Sequence, residues 1–417
     1  MEYYPRKVEE KILKLIKRRE FLIIRGARQV GKTTLLKHLQ SILENADYIT
    51  FEDIEIRSIF SKYTKEFIER EISKGIKYLL IDEVQYVKDI GQKLKLIFDL
   101  YSEKIKLIVS GSGSFDIKVE VGKYMVGRAF NILLYSLSFE EFLLWKAKDL
   151  HKYYKEFFNS LTDVLNSENE NIASPTFEEE FLKLFKEFIV FGGYPEVVKE
   201  NDFETKKLIL KEIISNYLER DVGYFLGIRN IEKFRDLLVY LADNISKIIE
   251  YSSIISDIKI SFQILQNYLE ILQQSFIISL IRPFYTRKTT ELKKSRKLFF
   301  IDLGLRNALI NNFQKFDERN DKGLLLENFV FCELLRNLED WNINYWRSKS
   351  KAEVDFVISK ENKIIPIEVK ISPEISRSLI SFINLYKPKV AIVFNLEKFE
   401  IKRVNNTKVF FLPVYYI

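Results

Sequence analysis

The sequence predicts an α/β protein of several units, and three observations carry that prediction. Apolar runs of strand length alternate with helical stretches over the first 135 residues, helices alone follow, and strands return near the end. At 417 residues the chain has material for two to four domains, each with its own core. Hydrophobic residues make up 47% and charged residues 30%, with 14 Gly and 8 Pro, which excludes a disordered or fibrous chain. The single cysteine, Cys332, excludes an internal disulfide. With only His38 and His151 beside it, it also excludes Cys/His metal sites. No uncharged apolar run approaches the roughly 18 residues of a membrane span, and Met1 to Lys7 lacks an apolar leader segment. The expectation is a cytoplasmic protein with no membrane partner.

The first strand is Phe21 to Arg25, followed by a helix from Lys32 to Leu43, a strand from Tyr48 to Phe51, a helical stretch from Ile54 to Ile72, and strands from Lys77 to Ile81 and Ile105 to Val109. This is the rhythm of a parallel sheet covered by helices. Between the first strand and its helix stands Gly26-Ala27-Arg28-Gln29-Val30-Gly31-Lys32-Thr33-Thr34, which fits G-x-x-x-x-G-K-S/T. A loop that wraps phosphates must turn tightly and aim consecutive N–H groups inward, which calls for glycine at both marked positions. The positive end of the following helix adds to the anion site. Lys32 then serves the β- and γ-phosphates of ATP, and the Thr33 hydroxyl a Mg²⁺ ion.

Nucleotide hydrolysis also needs a carboxylate on the metal and a group that polarises water, delivered at the end of a neighbouring strand. Tyr78-Leu79-Leu80-Ile81-Asp82-Glu83 supplies both, with Asp82 for the metal and Glu83 for the water. The next strand ends in Ser110-Gly111-Ser112, which makes Ser112 a candidate phosphate sensor or an ordinary turn serine.

These motifs, together with Ile81-Asp82-Glu83-Val84-Gln85, Val126-Gly127-Arg128, Leu137-Ser138-Phe139-Glu140-Glu141-Phe142 and Phe191-Gly192-Gly193-Tyr194-Pro195, resemble a family. It is that of the archaeal and bacterial AAA-type P-loop ATPases with a C-terminal domain of unknown function related to restriction endonucleases. The resemblance implies an AAA-type core over residues 1–137, a helical lid over 138–222, a winged helix-turn-helix over 223–300 and a nuclease-like domain over 301–417. It implies an arginine near the γ-phosphate at Arg128, acting within one chain or across a homo-oligomer, and a lid whose Gly193-Tyr194-Pro195 stretch approaches the adenine. From the residues alone, Arg128 reads equally as a surface residue after a glycine and Gly192-Gly193-Tyr194-Pro195 as a plain interhelical turn.

Within the lid, Ser160 to Ser174 is polar enough to be a loop insertion between the helical patterns that end before it and those at Phe177 to Val190 and Phe203 to Leu218. Further helices read from Ile231 to Ala242, Tyr251 to Ile258 and Ser261 to Gln274, with Ser261 as N-cap. Strands at Phe276 to Leu280 and Leu298 to Ile301 bracket seven basic residues (Arg282, Arg287, Lys288, Lys293, Lys294, Arg296, Lys297) against Glu291, a net of 7 − 1 = +6 out of +7 for the whole chain. Helices, a tight turn and a two-stranded wing suit DNA binding, with the segment 282–297 on phosphates. The candidate recognition helix offers Gln and Asn but no Lys or Arg, so a wing used only for packing stays open.

Near the end, Asn344 to Trp346, Glu353 to Ile358 and Ile364 to Val369 read as strands. A turn centred near Glu361 sets Asp355 opposite Ile367 or Glu368, and the polar pairing puts two carboxylates roughly 4.5 to 5.5 Å apart at Cβ. Lys370 shares the face of Glu368, Glu327 stands early on a helix from Gly323 to Leu338, and Glu353 is read as facing the opposite side. Glu327, Asp355 and Glu368-x-Lys370 resemble the PD-(D/E)xK nuclease superfamily. The resemblance implies Mg²⁺ or Mn²⁺ on Asp355 and Glu368, and metal-dependent DNA cleavage. Val354 stands where that pattern has proline. The alternative is a nucleotide-dependent switch whose C-terminal domain binds DNA or a partner without cutting.

Overall fold

The computed structural model describes residues 3–112, 122–157, 177–225, 228, 230–285 and 295–417. Five strands, β1 (Phe21–Gly26), β2 (Ala46–Thr50), β3 (Tyr78–Asp82), β4 (Lys106–Ser112) and β5 (Ala129–Leu133), form one sheet in the order β2-β3-β4-β1-β5. Every pairing in it is parallel. Strands buried on both faces need continuous apolar runs, and Phe21 to Ile24 and Leu79 to Ile81 supply them. Even positions of β1 (Leu22, Ile24) join a large cluster that reaches through the rest of the chain. Odd positions (Phe21, Ile23) join a second cluster closed by the helices Ile54–Lys62, Thr64–Ser73 and Ile90–Tyr101.

The helical stretch read over Ile54 to Ile72 is two helices, because Tyr63 leaves helical backbone at φ −126°, ψ 53°. The helices Lys7–Leu15 and Ile90–Tyr101 and strand β5 had no counterpart in the sequence reading.

The helical region carries Phe139–Lys146, opened by a capping box between Ser138 and Glu141, then Glu178–Phe191, Pro195–Lys199 and Phe203–Asn216. The polar stretch from Ser160 to Ser174 lies outside the described residues. Next come the helices Ile231–Asp243, Tyr251–Ile258 and Phe262–Gln274, the last capped by the Ser261 hydroxyl, which accepts from the Ile264 N–H. The antiparallel pair β6 (Ile278–Ile281) and β7 (Lys297–Phe300) follows, with Ile248 bridged to Lys297 on its far side. Strand β6 starts after Phe276, whose φ of +60° breaks the extended run.

The final unit begins with the helix Lys322–Asn337. Six strands follow, β8 (Asn342–Arg347), β9 (Glu353–Lys360), β10 (Lys363–Val369), β11 (Val390–Asn395), β12 (Glu400–Val404) and β13 (Thr407–Pro413), in the order β12-β13-β11-β10-β9-β8. Strands β8, β9 and β10 are antiparallel neighbours, and β11 joins β10 in parallel after the crossover helix Arg377–Tyr386. Pro283, just past β6, bridges Tyr345 of β8, so the β6–β7 hairpin is stitched to the edge of this sheet.

Candidate nucleotide site and a second carboxylate cluster

The phosphate-type loop leaves the C-terminal end of β1 where Gly26 passes under Leu134. A Cβ at Gly26 would stand 2.0 Å from the Leu134 carbonyl oxygen, so only glycine fits. Gly31 takes φ +97° as N-cap of the helix Lys32–Ile42. Gly31 offers no side-chain cap to the first-turn N–H groups, and Gly31, Lys32, Thr33 and Thr34 line the adjoining cavity, a helix start that suits an anion. Lys32 is 5% exposed, and its ammonium donates to the carbonyls of Gly26 (3.1 Å) and Ala27 (2.7 Å).

Two strands away, Asp82 closes β3 at 1% exposure and collects donors from four directions. The Thr33 hydroxyl donates to its Oδ2 at 2.5 Å and the Tyr48 hydroxyl at 3.1 Å. The Ser110 hydroxyl and the Glu83 N–H donate to Oδ1. Thr33 and Asp82 therefore meet at one point beside the loop, an oxygen pair of the hard-donor kind that suits Mg²⁺. Glu83 follows in left-handed backbone (φ 54°, ψ 46°), which turns its carboxyl toward the loop. Burial pushes that carboxyl above its usual range; Lys32 opposes the shift and Asp82 adds to it. Gln85 donates to it.

Gly31, Lys32, Thr33 and Glu83 open onto a cavity of about 240 Å³ that Arg28, Gln29, Thr34 and Pro195 also line. Sequence reasoning missed the remaining wall. Tyr4 stacks on Trp145 at 3.9 Å, Tyr3 stacks on His38 at 3.6 Å, and Lys199 lies over Trp145 at 5.9 Å. Arg6 was missed as well. Its guanidinium, 8% exposed, donates to Glu141 (2.9 Å), to the Val30 carbonyl of the loop (2.9 Å) and to the Tyr135 carbonyl (2.7 Å). The available signal was Tyr3-Tyr4-Pro5-Arg6 directly before an amphipathic helix.

One expectation on this unit changes. Arg128 lies at the N-terminal edge of the sheet, where its carbonyl accepts from the Phe21 N–H and its side chain pairs with Asp99 at 2.9 Å. The loop springs from the opposite edge, five residues along β1 or roughly 16 Å away, so Arg128 does not stand by a γ-phosphate held in its own chain. Ser112 does end beside Gly26 in register, at the loop edge of the sheet.

The basic segment also divides. Arg287, Lys288, Lys293 and Lys294 lie outside the described residues, whereas Lys297 is turned inward at 2% exposure. Its ammonium sits 2.8 Å from Glu327 and 2.7 Å from Glu353. Burial alone would lower this ammonium, but Glu327, Asp355 and Glu353 outweigh burial and hold it above its usual value.

In the terminal sheet, Lys363 pairs with Lys360 and Ile367 with Phe356, a register that continues to Glu368 opposite Asp355. Asp355 accepts from the Val369 N–H at 2.8 Å, and Glu368, 1% exposed, accepts from the Ser376 hydroxyl. Burial pushes Glu327 up to about 8, with Lys297 opposing and Asp355 adding. Burial likewise pushes Glu368 up to about 7, with Ser376 and Lys370 opposing and Asp355 adding. Glu353 does not face away: residues two apart on a strand share a face, and it joins this cluster through Lys297. Among the described residues no group of three or more His, Cys, Asp and Glu is arranged to hold a metal ion. The expected Mg²⁺ or Mn²⁺ set on Asp355 and Glu368 thus finds a lysine among the acids around it.

Residues 18–143 match the AAA domain family, residues 182–315 a domain of unknown function (DUF8612) and residues 322–416 a domain of unknown function (DUF4143). Uncharacterized protein MJ1544 of Methanocaldococcus jannaschii is 32% identical over 355 residues, 82% of this chain and 72% of that protein. An uncharacterized protein of Haemophilus influenzae is 26% identical over 368 residues, 83% and 81% of the two chains. Uncharacterized protein MJ1637 of Methanocaldococcus jannaschii is 23% identical over 410 residues, 94% and 84% of the two chains. No helix among the described residues is long and apolar enough to cross a membrane.

Proposed function

We propose, from the premise that this chain belongs to the same family as MJ1544 and carries an AAA domain, that it is an ATP-hydrolysing molecular switch. The observation that carries the reading is the meeting of Thr33 and Asp82 beside the loop, with Glu83 next in the chain. In this reading the loop N–H groups and Lys32 take the phosphate charge. Thr33 and Asp82 would hold Mg²⁺, which when bound neutralises charge on the phosphates. Glu83 orients the attacking water and accepts its proton, and a carboxyl raised toward neutrality is better matched to that task than an ordinary one. Pro195 and the Tyr4–Trp145 stack form the apolar side of the cavity, where a base would lie. Ser112 keeps its proposed place as phosphate sensor at the loop edge. Arg128 enters the reaction only across a neighbouring copy in a homo-oligomer.

The downstream units are the switch's output. A winged helix-turn-helix is supported by the three helices 231–274 and the β6–β7 hairpin. An endonuclease-like fold is supported by the sequence helix, three antiparallel strands, crossover helix and parallel strand over residues 322–395. DNA is the partner proposed for the hairpin: with Lys297 withdrawn, residues 282–297 still carry 6 − 1 = +5. The geometry favours the switch over the nuclease, because the acids around Asp355 already hold a cation.

Purified wild type, Lys32→Ala and Glu83→Gln, compared for Mg·ATP binding by calorimetry and for phosphate release, test the reading. Wild type binds and turns over, Glu83→Gln binds but turns over about 100-fold more slowly or worse, and Lys32→Ala loses binding. Wild-type protein that gives no binding heat ends the proposal.

A further inference from the structure

Lys297 stands at the foot of the β6–β7 hairpin, and nothing in the nucleotide reading uses it. Its backbone is fixed on both sides, by Ile281 of β6 and by the bridge to Ile248. Its side chain crosses into the last unit, where its ammonium lies between Glu327 on the helix Lys322–Asn337 and Glu353 on β9. Tyr345 of β8 lies beside it, with the ammonium 5.9 Å from the ring centre, and the Tyr345 hydroxyl donates to the Ser295 carbonyl two residues before Lys297. Arg347 reaches Glu353 from the outside at 3.9 Å. Asp355 and Glu368, opposite each other on β9 and β10, complete the cluster, and one Glu368 oxygen, Oε2, is buried with no hydrogen-bond partner among the described residues.

An ammonium and a divalent cation ask different things of the same oxygens. The ammonium donates to Glu353 at 2.7 Å and forms an ion pair with Glu327 at 2.8 Å, whereas Mg²⁺ needs a near-octahedral shell of oxygens at about 2.0 to 2.1 Å. A lysine fixed in this position also repels the ion. The acids suggested a metal centre from sequence; the side chain threaded among them does not fit one.

We propose that Lys297 is the resident cation of the Glu327–Glu353–Asp355–Glu368 cluster. It excludes divalent metal and fastens the hairpin to the last unit. The cluster is then an ion-pair lock between two units, with hydrolytic metal chemistry shut out for as long as β7 stays docked. This goes beyond the nucleotide reading and does not depend on it.

The test is Mn²⁺ binding by the full chain without nucleotide, followed through the electron-spin-resonance signal of free Mn²⁺. The variants are wild type, Asp355→Asn, Lys297→Met, Lys297→Arg and the double variant Lys297→Met with Asp355→Asn. Thermal melting of each variant serves as the folding control, so failure of this proposal is separable from failure of the ATPase reading. Wild type and Lys297→Arg take up no Mn²⁺ at the cluster. Lys297→Met gains one site tighter by on the order of a hundredfold, the scale of removing one charge a few ångströms away, and the double variant loses it. A wild-type chain that binds one Mn²⁺ as tightly as Lys297→Met, with Asp355→Asn abolishing it, overturns the proposal, as does a folded Lys297→Met that binds none. If Lys297→Met does not fold, Lys297→Gln takes its place, and Asp355-dependent Mn²⁺ binding by wild type alone still decides against the lock.

Discussion

Replacing Arg6 by alanine removes the cation that Glu141 was buried against. Glu141 is 8% exposed and accepts from the Arg6 guanidinium, from the Lys7 N–H at 2.8 Å and from the Ser138 N–H at 2.9 Å. Burial works to raise this carboxyl, but Arg6 and the backbone donors outweigh it and leave Glu141 below its ordinary 4.5. Removing one partner of a buried pair costs about 3 to 5 kcal/mol, because the other charge is left uncompensated. For a cooperative unit of 150 to 250 residues each kcal/mol shifts the midpoint by roughly 2 to 4 °C, so a fall of roughly 6 to 20 °C is expected. The pH dependence has a definite sign. A depressed carboxylate contributes stability that is present above its unfolded pKa and lost as pH falls through the folded value. The gap between wild type and Arg6→Ala is therefore full at pH 7 and narrows below about 4.5. Arg6 also holds the Val30 carbonyl, so Mg·ATP affinity falls with stability. Calorimetric melting at pH 7 and pH 4, with ATP titrations beside it, measures both. An Arg6→Ala protein that melts within 1 °C of wild type at pH 7, or a gap that widens in acid, refutes this assignment of the pair.

Other outcomes follow from the same geometry. Gly193→Ala places a Cβ 2.2 Å from the Leu137 carbonyl oxygen, a backbone clash that displaces Pro195; expect a loss of about 2 kcal/mol or more in stability and weaker ATP binding, read by melting and calorimetry. Arg128→Ala leaves turnover unchanged in dilute protein and lowers it only where copies associate, which a concentration series of phosphate release detects. Because burial raises Glu83, turnover begins to fall on acidification at a pH above the ordinary carboxylate range, and a pH–rate profile of wild type shows the acid limb. Lys293→Ala with Lys294→Ala lowers DNA affinity and flattens its salt dependence, measured by fluorescence anisotropy; an unchanged salt slope removes the hairpin from the DNA surface.

What was legible in the sequence was whatever is encoded over a few neighbouring residues. The loop and the β3 carboxylates are local patterns, and the Ser261 cap and the β9–β10 register could be read from one turn and one hairpin. Contacts between distant segments left no such mark. Arg6 meets Glu141 across 135 positions, and Lys297 meets Glu353 across 56. Lys297 looked like surface charge because it ends a basic run, yet the four residues of β7 are all buried. Arg128 was placed by motif order, while the parallel direction of β5 decides which edge of the sheet it occupies.

The alternation along β1 has a mechanical consequence. Leu22 and Ile24 belong to the cluster that also contains Phe181, Leu265 and Phe410, so that side of the phosphate-loop sheet is bolted to every later part of the molecule. Phe21 and Ile23 press instead on helices that answer to the sheet alone. The two sides of the sheet are therefore unequally tied, one to the later parts of the chain and the other to its own helices. Cutting the chain after the sheet would strip that side to water, so the isolated sheet unit would lose the packing that the rest of the chain gives it.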